Sequence, residues 1–199
     1  MLLRELMRSL GIAKDRRAAF QKLLDAMIRD GEIVEIKDNR YGLPGKMNLV
    51  TGRLQCHSDG FGFVIPEAAG EPDLFIGRRS MMEAMHGDSV VARIEATKPD
   101  GRREGRIIRV LKRGMTQIVG RFESGREFGF IVPTEKRIGR DLYVSPDLAG
   151  GAKDGDLVVA DITSYPTPHR NPEGRIVQVL GQAGDPKIDT EMVIAEFGL

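Results

Sequence analysis

The chain has 199 residues, 41% of them hydrophobic and 30% charged, with a formal net charge of +1. This composition is that of a folded, soluble protein and excludes an intrinsically disordered one. No run of about 18 apolar residues occurs, so no membrane-spanning helix and no membrane partner is expected. The opening MLLRELMRSLG breaks its apolar residues with charges, unlike a secretory leader. Cys56 is the single cysteine, without a partner for a disulfide or a zinc knuckle, and this usage suits the cytoplasm. Charge is unevenly spread: 10 basic against 7 acidic side chains over 1–48, 11 against 9 over 49–114, 8 against 9 over 115–182 and 1 against 4 over 183–199. A phosphate backbone would be drawn to the first half.

In chain order, Leu2, Leu3, Leu6, Met7 and Leu10 share one helical face, and Gly11 ends that helix. Phe20, Leu23, Leu24, Met27 and Ile28 form a second stripe over 14–30, with Gly31 as its natural stop. Ile33 to Ile36 and Arg40 to Leu43 flank Lys37-Asp38-Asn39, a plausible hairpin turn. Helix, turn, helix, hairpin is the order of a winged helix-turn-helix. A complete one has a further helix first, so the expectation is a partial domain. Lys14, Arg16 and Arg17 open the second helix and are equally compatible with phosphate contact and with a solvated face.

The remainder repeats itself. Gly52-Arg53 recurs as Gly120-Arg121, and Phe61-Gly62-Phe63-Val64-Ile65-Pro66 as Phe128-Gly129-Phe130-Ile131-Val132-Pro133. Asp73-Leu74-Phe75-Ile76 recurs as Asp141-Leu142-Tyr143-Val144. Gly87-Asp88 with its Val-Val-Ala run, and Glu104-Gly105-Arg106-Ile107, recur at 155–160 and 173–176. Five blocks in one order, offset by 67 to 69 residues, define a tandem duplication. Short runs rich in Val, Ile and Phe, cut by Gly, Pro and Asp, predict five strands per copy closed into a small OB-type barrel. The Gly-Asp pair reads as a turn signal, and 97–103 and 163–172 as loops before each last strand. The expected fold is therefore multi-domain and mainly β. A partial winged helix-turn-helix (α+β, 1–46) precedes two tandem OB-fold cold-shock β-barrels (47–114 and 115–182). Residues 183–199 are expected to be a linker or the start of a further domain.

Strand alternation puts Phe61 and Phe63 on one face, with Phe75 on the next strand, and Phe128, Phe130 and Tyr143 in the second copy. Such rings can stack on bases, each worth about 1–3 kcal/mol; the alternative, rings filling the barrel core, stays open. Arg102, Arg103 and Arg106 precede or enter the last strand of the first copy, and Lys136, Arg137 and Arg140 lie between the aromatic runs of the second. Each is a candidate for RNA phosphate or base contact, weighed against an ordinary solvated surface. Asp154 and Asp156 belong to a repeated turn, and Asp185, Asp189, Glu191 and Glu196 to the tail. Neither set makes a convincing Mg²⁺ cluster, and no catalytic-triad or Walker spacing occurs, so no catalytic residue and no cofactor is assigned to this chain.

The runs GFGFVI and EFGFIV resemble the first ribonucleoprotein motif of cold-shock domains, and LFI and LYV the second. The chain lacks the tryptophan usual on the first strand; Cys56 and His57 lie near where rings are expected, and Gly77 and Ser145 replace a usual histidine. Glu127 stands for a glycine in the second copy, implying weaker stacking there. The whole layout, with Leu24 to Val34, Tyr41-Gly42-Leu43-Pro44, His86-Gly87-Asp88 and Gln117 to Arg121, resembles the N-terminal half of bacterial ribonuclease R in the ribonuclease II (RNB) family. That resemblance implies single-stranded or structured RNA as partner and a covalent continuation into an RNB catalytic domain. There, Mg²⁺ would serve 3′→5′ phosphodiester hydrolysis. A free-standing tandem cold-shock RNA chaperone is the alternative, and a DNA-binding regulator led by the winged helix a third.

Overall fold

A computed structural model describes residues 1–36 and 40–182. The Lys37-Asp38-Asn39 turn, the tail carboxylates and the linker expected over 183–199 lie outside the described residues. Near the N-terminus, helix α1 (Leu3–Ser9) ends before Gly11, whose φ of +66° breaks the helix. Helix α2 (Arg17–Arg29) follows a single 3₁₀ turn at Lys14–Arg16 and stops at Gly31, with φ +76°. Strands β1 (Val34–Ile36) and β2 (Arg40–Gly42) pair antiparallel. Phe20, Leu24 and Ile28 pack with Leu3, Met7, Ile33 and Tyr41 into a small core. The apolar stripes are narrower than expected. Leu23, on the flank of the Phe20–Leu24–Ile28 line, is exposed, as are Leu2 and Leu10 at the ends of α1.

Two closed barrels follow. The first comprises β3 (Leu49–Cys56), β4 (Gly62–Pro66), β5 (Leu74–Ile76), β6 (Ser89–Thr97) and β7 (Arg103–Lys112). Its strand order is β3-β4-β5-β7-β6, and the β3–β6 pairing closes it. Every pairing is antiparallel except β5 with β7. The second comprises β8 (Gln117–Ser124), β9 (Gly129–Pro133), β10 (Leu142–Val144), β11 (Asp156–Ser164) and β12 (Glu173–Gln182), joined in the same order with β10 parallel to β12. This is the expected OB topology, made twice. Each pair of long strands carries three register shifts, at Ser89/Val90, Val91/Ala92 and Ile94/Ala96 and at the matching points of β11. Such bulges bend a long hairpin around a narrow barrel. The strands run slightly further than expected: Thr97 ends β6, Arg103 opens β7, and Thr163 and Ser164 belong to β11.

Inward alternation fills both cores. Leu54, Val64, Leu74, Ile76, Val90 and Ile107 fill the first, and Ile118, Phe122, Ile131, Leu142, Val144, Val158 and Ile176 the second. The connection from β5 to β6 joins the two. Met81 packs in the first core and Met85, four residues on, in the second. Between them Met82 is held at φ +55°, where the second copy has Gly150 at φ +60°. A left-handed backbone costs a side-chain-bearing residue roughly 1–2 kcal/mol, and Met82 is itself exposed. Met82→Gly is therefore expected to stabilise the first barrel by about 1 kcal/mol, offset in part by glycine's extra freedom when unfolded. A urea-unfolding midpoint equal to or below wild type would contradict this.

Candidate nucleic-acid interface

Because Leu74 and Ile76 point inward, Phe75 between them points out; Gly62 and Val64 likewise send Phe63 outward. Phe63 and Phe75 are cross-strand partners, and Phe61 lies just ahead of β4. The three centroids lie 5.9 Å (Phe61–Phe63), 5.7 Å (Phe61–Phe75) and 5.7 Å (Phe63–Phe75) apart. Gly62 is needed behind them: a Cβ there would meet the Gln55 carbonyl oxygen at 2.7 Å and the Met81 methyl at 2.9 Å. The second barrel repeats the arrangement. Phe130 pairs across from Tyr143, and Phe128 lies 5.4 Å from Phe130 and 5.0 Å from Tyr143. Behind them, a Cβ on Gly129 would run into the Phe122 ring. All six rings lie outside the barrel cores, with Phe63 39% and Phe128 37% exposed.

The first surface has a fourth ring that the sequence reading did not select. His57 stacks on Phe61 at 4.5 Å and 10°, and its Nδ1 faces the Asp59 carboxylate at 3.4 Å. The signal available was its place, with Cys56, near where the cold-shock resemblance expects rings. In the second copy Gly125 accompanies a turn one residue shorter, so no ring is added there. Phe61, Phe63 and Phe75 line a groove of about 830 Å³ whose other wall is the β6–β7 turn, with Lys98, Asp100 and Arg102. Lys98 pairs with Glu104 at 2.5 Å and Arg102 with Asp100 at 2.6 Å, all substantially exposed. A phosphate arriving beside the rings meets cations whose present partners are surface carboxylates, and such exposed pairs contribute little and exchange readily.

The other basic residues are placed differently. Arg103 is the first residue of β7, only 12% exposed, and is tied to Glu71 and to the Pro72 carbonyl; it holds the β4–β5 connection against the barrel. Arg106 pairs with Glu95 at 3.0 Å across β6 and β7. Arg140 donates to the Thr167 and Arg170 carbonyls, pinning the loop before β12. Lys136 is exposed on the turn that follows β9. On the same turn, Arg137 binds both oxygens of Glu135, holding that carboxyl near a pKa of about 2. Arg137 and Arg140, with Arg78, Arg79, His57 and His169, line a second cleft of about 770 Å³ between the barrels. So Arg102 and Arg103 both line the first ring groove, Arg103 with its guanidinium committed to Glu71 and the Pro72 carbonyl, whereas Arg137 and Arg140 face the junction.

Cys56 lies at the end of β3 on the edge of this junction, and its backbone N–H donates to His86 Nδ1 at 3.1 Å. Burial, with the Asp88 carboxylate nearby, pushes its thiol up to about 12. Since the thiolate is the nucleophile, iodoacetamide at pH 8 is expected to label Cys56 far more slowly in the native protein than in urea. Equal rates by mass spectrometry would contradict this. Burial and the neighbouring Arg137 also hold His86 below the ordinary imidazole value. Among the described residues no group of three or more His, Cys, Asp or Glu is placed to hold a metal ion. No described helix is long and apolar enough to cross a membrane.

Two OB barrels in tandem, each with an aromatic cluster on its outer face, define a protein of the cold-shock and OB nucleic-acid-binding class. Residues 52–110 match the ribonuclease B OB domain family, and 130–199 match the cold shock domain family. Ribonuclease R of Acidithiobacillus ferrooxidans is 35% identical over 201 aligned positions, taking in all of this chain and 46% of the relative. Ribonuclease R of Escherichia coli strain K12 is 38% identical over 84% of this chain and 20% of its own length. The fold is shared with Mycoplasma genitalium RNase R solved in complex with ribose-methylated single-stranded RNA, at TM-score 0.66 and 20% identity, over 75% of this chain and 24% of that one. The chain carries a ribonuclease B OB domain and a cold shock domain, and it resembles the N-terminal RNA-binding region of ribonuclease R. It spans less than half the length of these curated relatives.

Proposed function

We propose that this chain binds single-stranded RNA on its two ring surfaces and delivers it to the catalytic domain of a 3′→5′ exoribonuclease in a longer, cytoplasmic polypeptide. The observation that carries the reading is the repeated placement of three aromatic rings on the outside of each barrel, where packing does not require them. Exposed rings supported from behind by a glycine offer stacking faces to unpaired bases, and Lys98 and Arg102 beside the first set offer charge to the phosphates. The complex formed by the Mycoplasma relative with single-stranded RNA supports the choice of ligand. On this reading the chain itself holds no catalytic group, and Mg²⁺ chemistry resides in the RNB domain of the parent protein. RNA contact through Phe61, Phe63, Phe75, Phe128, Phe130, Tyr143 and Arg102 is direct. Arg103, Arg106, Arg137 and Arg140 act on RNA only after changing or sharing their present partners, as Arg102 does with Asp100, and Lys136 is exposed on its turn.

The test is a native gel of 5′-labelled single-stranded RNA with this chain and Mg²⁺, followed by a denaturing lane. A shifted band with RNA of unchanged length is expected. RNA shortened in steps would place catalysis in this chain, and the absence of any shift would overturn the binding reading. A shift for duplex DNA in preference to single-stranded RNA would favour a DNA-binding regulator.

A further inference from the structure

The buried Asp88 has more partners than its turn requires. Among the described residues its repeat equivalent, Asp156, accepts one backbone bond, from Lys153 at 2.8 Å, and this closes the turn before β11. Asp88 makes the matching bond from Met85 N at 2.9 Å, but its carboxylate also accepts from Gly114 N at 2.8 Å and from Arg113 Nη1 at 3.0 Å. Arg113 and Gly114 are the link between the barrels. Gln182, the last residue of β12, lies opposite Asp156, and the position that matches Gly114 falls outside the described residues. Arg113 also donates to the Glu83 carbonyl at 2.9 Å. Its guanidinium lies 3.9 Å over the ring of Tyr165, which belongs to the second barrel. The Tyr165 hydroxyl returns a bond to the Met115 carbonyl at 3.0 Å. Met85, on the same connection, is 3% exposed and sits in the second core.

The bonds from Asp88 tie the link to the first barrel, and the Arg113–Tyr165 stack, the Tyr165–Met115 bond and the buried Met85 tie it to the second. We propose that Met85, Asp88, Arg113 and Tyr165 form a latch that fixes the orientation of one barrel against the other, so that the two ring surfaces act as one site for a single RNA strand. The four are positioning residues, since none of them lines the ring surfaces. A fully buried carboxylate with three donors is costly to disturb. Gly114 fits only without a side chain, because a Cβ would meet the Gly87 backbone and lie 2.7 Å from the Asp88 nitrogen. The link is therefore held in one course rather than left as a tether. The second half of the proposal rests on the RNA reading above; the first does not.

The experiment uses the chain as it stands, with Arg113→Gln plus Tyr165→Leu as the main variant. Tyr165→Leu alone is a milder one that leaves the Asp88 ion pair in place. Residual dipolar couplings of the wild type should fit one alignment tensor across both barrels, and those of the double variant two. A wild type that needs two tensors, or a double variant still fitted by one, overturns the latch. In parallel, fluorescence anisotropy compares an oligouridylate of about four nucleotides, enough for one barrel, with one of about sixteen. Bivalent engagement should favour the long RNA by about a hundredfold in the wild type. The double variant should lose most of that preference while binding the short RNA unchanged, and Tyr165→Leu should fall between. An unchanged preference in the double variant overturns the coupling. Failure of the wild type to bind either RNA, with a single tensor retained, overturns the RNA reading and leaves the fixed orientation standing.

Discussion

Phe61→Ala combined with Phe63→Ala is expected to weaken binding of single-stranded RNA by about 2 kcal/mol or more, roughly thirtyfold in affinity. Both rings sit on the outer face of the first barrel, and Phe61 is also the ring on which His57 stacks. Their loss strips the groove beside Lys98 and Arg102 of two of its three phenylalanines. Because neither ring belongs to the core cluster, the double variant should keep its circular dichroism spectrum. An unchanged affinity in the folded variant would remove the stacking role. Phe128→Ala with Phe130→Ala should cost less in a chain that already binds through the first barrel, since the second surface lacks a counterpart of His57.

Leu74→Ala is expected to destabilise the first barrel by about 2–5 kcal/mol, from lost burial plus the cavity left behind. Leu74 is fully buried among Leu54, Val64, Ile76 and Ile107. One residue on, Phe75 faces the groove, so Phe75→Ala should instead weaken RNA binding with a smaller effect on folding. Urea titration and RNA anisotropy on the two variants separate these outcomes. If Phe75→Ala were the more destabilising, the assignment of inward and outward faces on β5 would be wrong.

Much of this was legible in the sequence because a strand has a period of two. Once Leu74 and Ile76 are taken as core, Phe75 must face out; Phe61 and Phe63 follow against Gly62 and Val64. Repetition helped, since a pattern that recurs with its glycine in place constrains both copies at once. What was not legible depends on contacts between distant residues. Nothing local distinguishes Met85 from Met82, yet one fills the neighbouring barrel and the other faces solvent. Arg103 reads as a loop cation beside Arg102, but the start of β7 turns it towards Glu71 and the Pro72 carbonyl. Gly87-Asp88 forms the turn that its sequence predicts; the added bonds from Arg113 and Gly114 depend on the course of the link after β7. His57 was legible as lying near an expected ring position, but its stack on Phe61 was not.

Chemical-shift mapping of an ¹⁵N- and ¹³C-labelled chain titrated with oligouridylate would test the ring-surface account most directly. The largest shifts should fall on His57, Phe61, Phe63, Phe75 and the Lys98 to Arg102 turn, with a second set at Phe128, Phe130 and Tyr143. Shifts confined to the N-terminal helices around Lys14, Arg16 and Arg17, with both ring sets unmoved at saturation, would contradict it.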